Sequence, residues 1–441
     1  MKRILIRNGW IVTMDNENRI IRNGCIEIKG KNIQRIFSDE SGVHPEEYDQ
    51  VLDASHMVVL PGLIDIHTHV CGSLFKGMLE DTPNGFYGKA LPMEDRLTPE
   101  WIYRLSLLGA AECLMGGITM INDLYHGMEC TAQALLDLGM RGVVATKIFE
   151  TDLARIQYRD YTRNRAAGQR RLEENIALIE KFHGKGDGRI LCKFGPHATD
   201  TVSLELAKRI ALLGEKYNVG FHIHAAQMPQ EVSFLKEEYG LTPIEYLCES
   251  GLMGKRTTVA HCLHVSDSDI RLLASGGATL AHCPDMNGNK GGPLAPMDKM
   301  YDAGVSVGYG TDWTSSDLFS TMRMGITVGR LFGGSQAHHN ALDALRRCTI
   351  DAARHLEVDR ITGSLEEGKR ADMVLVDLRK AHLCPVHDDP VSTVVYNANC
   401  NDVHSVLVDG KLLVEGGRLR SMDLDDIMNG AQEAADYIRK C

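Results

Sequence analysis

The amino-acid sequence predicts an α/β chain: a closed (β/α)8 TIM barrel carrying a small β-sandwich built from both chain ends. Three observations predict it. Between residues 58 and 312, eight short β-branched runs alternate with longer segments of helical period, which is how parallel βα units read. Each run closes on a polar residue, and in such barrels the carboxyl ends of the strands line the active site. Outside that stretch, both chain ends read as antiparallel strands with too few residues for separate cores.

In chain order, ILIRNGWIVTMDN and GCIEIKGKNIQRIF alternate as antiparallel strands, with turns expected at NG and KGKN. The eight barrel runs follow: MVVLPGLIDIHTH, GITMINDL, RGVVATKIF, GRILCKFGPH, VGFHIHAA, TTVAHCLH, ATLAHCP and VSVGYGTD. Between them, PEWIYRLSLLGAAECLMGG and SLELAKRIALLGEKYN carry apolar residues at three- and four-residue spacing with Gly near the ends, as amphipathic helices do. Beyond the barrel, ADMVLVDL and VHSVLVDGKLLVEGGRL alternate again, and LDDIMNGAQEAADYIRKC reads as a surface helix. The expected division is 1–57 plus 363–441 for the composite sandwich and 58–362 for the barrel.

Composition narrows the function. Hydrophobic residues at 44% and charged residues at 24% of 441 are ordinary for a globular chain. A formal charge of −11 with no Lys/Arg stripe gives a nucleic-acid backbone nothing to hold, and no apolar run approaches the roughly 20 residues of a membrane span. A small ligand is the expected partner. Twelve cysteines are scattered without a CxxC, and MKRILIRNGW lacks an apolar signal region, so reduced thiols and a cytoplasmic location are expected. Cys262 and Cys283 adjoin histidines but read as small buried apolar residues. Assembly into a homo-oligomer is also expected.

The residues at the strand ends are His67 and His69, Asp123, Lys147, His197, His224, His261, His282 and Asp312. One such histidine is readily a hydrogen-bonded core residue; a ring of them is not. In DIHTH, period-two alternation puts His67 and His69 on one side of a strand end, where both reach one ion. A third His and an Asp, supplied by His224 and Asp312 if those strands flank the first, complete a nitrogen-and-oxygen set. That set suits zinc, with iron(II) or another first-row metal as the alternative.

With LPMEDRLT, GITMINDL, FGPHA, HIHAA, VAHCLH, AHCP and GYGTD in place, the chain resembles the amidohydrolase superfamily. Within it, the likeness is to the methylthioadenosine/S-adenosylhomocysteine deaminases and the related triazine chlorohydrolases and aminohydrolases. The resemblance implies one divalent metal on His67, His69, His224 and Asp312, with His261 assisting the bound hydroxide and Asp312 accepting the water proton. It implies that Glu94 and His197 contact the substrate, Glu94 meeting ribose hydroxyls in the nucleoside deaminases. The segment HCPDMN departs from the family's HCPxSN at Met286.

A larger departure is Gln227, in HIHAAQ, where the deaminases carry a Glu that protonates a ring nitrogen and then the departing amine. A Gln amide hydrogen-bonds but passes no proton at neutral pH, and losing a general acid costs about 10² to 10⁴ in rate. Three explanations stand: an introduced Glu-to-Gln change, a leaving group that needs no proton, or another group in the role. The expected function is thus a metal-dependent aminohydrolase acting on an aminated N-heterocycle such as a purine nucleoside, pterin or triazine. The alternatives are a hydrolase expelling a non-amine leaving group, as dehalogenases or cyclic amidases do, and a non-catalytic ligand-binding relative. The cyclic amidases bridge two metals with a carboxylated Lys, for which Lys193 is the candidate. Trp313 is expected to stack on a planar ligand, Tyr125 and His126 to line the mouth, and the polar stretch 150–170 to form a lid.

Overall fold

The computed structural model describes every residue except 39–42, 83–84, 314 and 441, together with the backbone alone at 87. The barrel strands are β1 (Leu63–Thr68), β2 (Ile118–Tyr125), β3 (Arg141–Ile148), β4 in two pieces (Ile190–Cys192 and Gly195–Pro196), β5 (Phe221–Ala225), β6 (Thr257–His261), β7 (Thr279–His282) and β8 (Ser306–Tyr309). Parallel ladders join β1 through β4 and β5 through β8. Two seams close the ring: Phe194 pairs with Phe221 and Ala198 with His224, while Thr68 pairs with Asp312. Closure leaves no sheet edge. The strands are enclosed on both faces, which is why they read as near-continuous apolar runs rather than as alternation. Ile64, Ile66, Met120, Val143, Ala260 and Ala281 fill the barrel floor.

The helices between strands follow from local chemistry. Thr98 caps Pro99–Met115 by accepting the Trp101 N–H, and Ser203 caps Leu204–Tyr217 by accepting the Leu206 N–H. In the second of these, Leu206, Ala207, Ile210 and Gly214 form the buried stripe. The terminal helix Leu424–Lys440 buries Ile427, Ala431, Ala434 and Ile438. It lies along Pro99–Met115, where Trp101 and Tyr437 have ring centroids 5.4 Å apart and Arg96 donates to the Ile438 carbonyl at 2.9 Å.

The chain ends build one nine-stranded sheet. Its spatial order runs Arg418–Leu419, Lys411–Glu415, Val403–Val408, Met373–Asp377, Met57–Pro61, Arg3–Val12, Ile20–Lys29 and Asn32–Phe37, with Gln50–Asp53 beside Arg3–Val12. The two halves face each other across a shared core of Ile4, Ile6, Ile26, Ile28, Val59, Met373, Leu375 and Leu407.

Two expectations need correction. MVVLPGLIDIHTH is not one barrel strand: Met57–Pro61 belongs to the terminal sheet, pairing with Met373–Asp377 and Arg3–Val12, and the barrel begins only at Leu63. The transfer happens at Gly62, whose N–H donates to Asp372 while the next N–H donates to Gly117 of the barrel. A side chain at Gly62 would lie 2.1 Å from Thr119 Oγ1, so only glycine passes there. Asn8-Gly9 is not a hairpin turn either. It is a bulge inside a ten-residue strand, with Asn8 at φ +66° and the register shifting beside it. The turn expected at KGKN is present, joining Lys29 to Asn32.

Barrel and sandwich are tied by a buried ion cluster. Arg141, at the start of β3, donates to Asp372 at 2.5 Å and to Asp409, and Asp372 also accepts the Asp409 N–H at 2.7 Å. Arg141→Met would strand two enclosed carboxylates. The expected loss is about 3–5 kcal/mol, read as a lower urea midpoint for the variant.

Candidate metal centre

Four strand ends and the residues just beyond them converge on Asp312. His67 Nε2 and His69 Nε2 lie 3.6 and 3.5 Å from Asp312 Oδ1, and His261 Nε2 lies 3.8 Å from Oδ2. Ligand atoms of His67, His224 and His261 all fall within 4.8 Å of one another. His224 donates Nδ1–H to the His197 carbonyl at 2.6 Å, which leaves its Nε2 lone pair free to face inward. Its ring lies parallel to that of His261, centroids 5.4 Å apart.

The backbone is bent to aim these groups. His261, Cys262 and Asp312 have φ of +77°, +48° and +62°, and Ala226, just past β5, has +53°. Left-handed conformations are costly for residues with a Cβ and cluster where function constrains the chain.

The set fits a cation. His67 Nε2, both ring nitrogens of His261 and Asp312 Oδ2 are enclosed with no hydrogen-bond partner, an unusual concentration of unsatisfied groups for a folded interior. Burial holds His69 and His224 well below the usual imidazole range, so they are neutral, as ligation requires. Three or four imidazoles and one carboxylate suit zinc or a neighbouring first-row divalent ion.

Of the supports of this centre, Asp123 was among the strand-end residues of the sequence, whereas His222 and Asp65 were not singled out. His222, the first His of HIHAA, faces inward with Nε2 2.8 Å from His67 Nδ1. With a metal ion on its Nε2, His67 would carry its proton on Nδ1 and donate it to His222. Asp65 accepts the His67 N–H at 3.0 Å and the Thr311 hydroxyl at 2.5 Å, locking β1 to β8. Asp123 Oδ2 accepts the Val70 N–H at 3.1 Å, with Oδ1 3.9 Å from His69 Nδ1; burial pushes its carboxyl up to about 7. The period-two spacing of DIH and HIH was the available signal for Asp65 and His222, since both share a strand face with a proposed ligand.

Around the centre lies a polar wall. Glu94, on the short helix Leu91–Glu94, accepts from His126 Nε2 at 2.9 Å and stands 3.5 Å from the buried Lys147 ammonium. Burial opposes the charge on Glu94, but Lys147 and His126 outweigh it and hold the carboxyl below its usual range. Lys147 also lies 4.2 Å above the Tyr125 ring. His197 bonds Thr201 Oγ1 through Nδ1 at 3.2 Å, and its ring centroid is 5.1 Å from that of His224.

The remaining candidates are placed differently. Trp313 packs edge-on against Phe75, Phe86 and His69 and donates its indole N–H to Gly72 at 3.3 Å, so its ring is a packed wall. Gln227 follows the bend at Ala226 and donates its backbone N–H to Glu231 at 2.8 Å. Glu231 also accepts the Ala226 N–H at 2.9 Å, at the start of the helix Pro229–Tyr239. Lys193 donates to Thr258 Oγ1 at 2.9 Å, a hydroxyl shared with His355 at 2.7 Å. That gives no support to a lysine bridging two metals. His282 faces Tyr309, centroids 5.8 Å apart, rather than the centre. Of the expected lid, 150–164 is a connection that carries the short 3-10 helix Leu153–Tyr158, and the rest belongs to the helix Arg165–Phe182. The connection is pinned by the Thr151–Arg163 bridge and by Tyr161 stacked on Phe234 at 3.8 Å.

Residues 58–413 match the model of the amidohydrolase family. Over 446 aligned residues the chain is 34% identical to a 5-methylthioadenosine/S-adenosylhomocysteine deaminase of Desulfitobacterium hafniense (strain Y51), covering 99% of each. Among solved structures it is similar to a zinc-bound adenosine deaminase from Xanthomonas campestris, with TM-score 0.90 and 24% identity over 99% of each chain. It is also similar to an atrazine chlorohydrolase from Arthrobacter aurescens complexed with zinc, with TM-score 0.87 and 24% identity over 98% of this chain and 100% of that one. These two likenesses show the fold.

If His222 orients His67, His222→Ala should weaken zinc retention by about 10–100-fold, the scale for loss of a partner behind a ligand. Competition with a chromophoric chelator measures it. An unchanged affinity would assign His222 to packing alone.

Proposed function

Because the chain belongs to the amidohydrolase family, we propose that it is a metal-dependent aminohydrolase releasing ammonia from an aminated nitrogen heterocycle. A purine nucleoside is the first candidate, which the name of the Desulfitobacterium relative supports. The observation that carries the reading is Asp312, a buried carboxylate approached by His67, His69 and His261 at 3.5–3.8 Å with Oδ2 left unpartnered.

His67, His69, His224 and Asp312 would hold one divalent ion, with zinc favoured by the donor set and by the two zinc-containing structural neighbours. When bound, such an ion makes water an effective nucleophile near neutral pH. The chain's residues do the rest. Asp312 accepts the proton of the attacking water through Oδ2. His261, with both nitrogens free, holds that water by a hydrogen bond and fixes its direction toward the electron-poor ring carbon. Glu94 keeps Oε1 available for a substrate hydroxyl, Oε2 being occupied by His126. His197 presents its ring beside His224 to the heterocycle. Gln227 donates a hydrogen bond to a ring nitrogen or an exocyclic oxygen but moves no proton. The small heterocycle is the partner. We further propose a cytoplasmic location, consistent with described cysteines that form no disulfide, and a homo-oligomeric assembly.

Gln227 itself favours a second reading, hydrolysis with a leaving group that departs as a stable anion and needs no proton. Without a carboxylate at position 227, nothing there repels the departing charge.

His224→Ala or Asp312→Ala should release the metal or lower its occupancy strongly in elemental analysis, and full occupancy in both would overturn the ligand assignment. Gln227→Glu should raise ammonia release from a suitable amino-heterocycle by roughly 10² or more, as gain of a placed proton shuttle implies. On the halogenated version of the same ring it should help little or slow the reaction. No gain on any amino substrate would leave the anion-expelling hydrolase as the reading.

A further inference from the structure

The histidines are not the only metal-ligating side chains beside Asp312. Another is Cys283, directly after β7. Its Sγ, a ring nitrogen of His67 and a carboxylate oxygen of Asp312 all lie within 4.8 Å of one another, and all three residues are buried. Among the described residues it is the one cysteine in a cluster of this kind. Cys262, although it adjoins His261 in sequence, is in none.

Packing alone explains Cys283 poorly. Its hydrogen-bond contact is to the Ala281 carbonyl at 3.7 Å, a weak contact made by its own strand. Both residues it meets carry an enclosed, unpartnered donor atom, Nε2 in His67 and Oδ2 in Asp312. A sulfur beside an imidazole nitrogen and a carboxylate oxygen is a mixed soft and hard donor set. Zinc accepts thiolate, imidazole and carboxylate alike, whereas a softer ion such as cadmium prefers the sulfur more strongly.

We propose that Cys283 gives this centre a second coordination mode, in which a soft divalent ion such as cadmium is held by His67, Cys283 and Asp312. The inference rests on His67 and Asp312 being ligands, as in the proposed function, but it requires no turnover. The step is a simple exchange: the S–H bond breaks, its electron pair forms the sulfur–metal bond, and the proton passes to buffer. No oxidant or reductant is involved. Zinc binding through His67, His69, His224 and Asp312 leaves Cys283 a spectator, so the softness of the ion decides which set is used.

The test titrates the full-length chain, stripped of metal by chelator, with zinc and with cadmium in parallel. With cadmium, an ultraviolet sulfur-to-metal charge-transfer band should grow to one equivalent in the wild type and be lost in Cys283→Ser and Cys283→Ala. Both variants should still take up one zinc, which also shows that they are folded. X-ray absorption of the cadmium-loaded wild type should find one sulfur neighbour without recourse to any variant. A wild type that binds zinc yet shows no band and no sulfur neighbour overturns the second mode alone. So does a band that survives in both variants. A wild type that binds neither ion overturns the centre and the second mode together.

Discussion

A carboxylate enclosed among imidazoles is the constraint on which the rest of the site depends. Asp312 is buried, and burial holds His69 and His224 well below the usual imidazole range. Such an arrangement is tolerable only with a positive charge at its centre, because an unpaired buried charge costs far more than a hydrogen bond returns. The strand ends have accepted backbone strain to make it. Left-handed φ at His261 and Asp312 accompanies the inward turn of two side chains that face each other at 3.8 Å. Below them, Asp65 and His222 hold β1 against β8 and β5, so the donors are fixed before any ligand arrives.

The barrel was legible because parallel strands enclosed on both faces leave contiguous apolar runs, and because GTD, HIH and DIHTH place polar residues where those runs stop. What stayed hidden was not carried by local pattern. MVVLPGLIDIHTH reads as one strand, since nothing in composition marks where hydrogen bonds pass from one sheet to another; the marker is Gly62, whose meaning lies in its distance from Thr119. Asn8-Gly9 has the sequence of a hairpin turn, but its backbone serves a bulge because the strand continues to pair beyond it. Trp313 offered an exposed aromatic by position alone, and only the arrival of Phe75 and Phe86 from distant segments makes it a packed wall. Lys193 likewise matched a strand-end role until Thr258 and His355 supplied its hydrogen-bond partners.

The polar wall separates charge storage from proton transfer. Lys147, Glu94 and His126 form a nearly balanced cluster whose carboxylate stays ionised despite burial. Near position 227, the carboxylate that remains is Glu231, and it is committed to backbone N–H groups where the loop turns into a helix. Burial raises the Glu231 carboxyl above its usual range and the Thr199 hydroxyl and backbone N–H groups oppose that rise, so its oxygens are committed to the turn. The site therefore keeps its electrostatics without a mobile proton at position 227.

The passage of the chain through Gly62 has a consequence for biosynthesis. Residues 57–61 are hydrogen-bonded to 373–377, and β1 with its two histidines follows one residue later. The first ligands to leave the ribosome are thus joined to a strand whose neighbour is made near the end of translation. Non-local pairing of this kind is slow because loop closure precedes its reward. Until residues 373–377 emerge, Met57–Pro61 has Arg3–Val12 on one side and an open apolar edge on the other, the kind of surface that chaperones and aggregation compete for. The strand that leads into the first two histidines therefore waits for its second neighbour until translation is nearly finished.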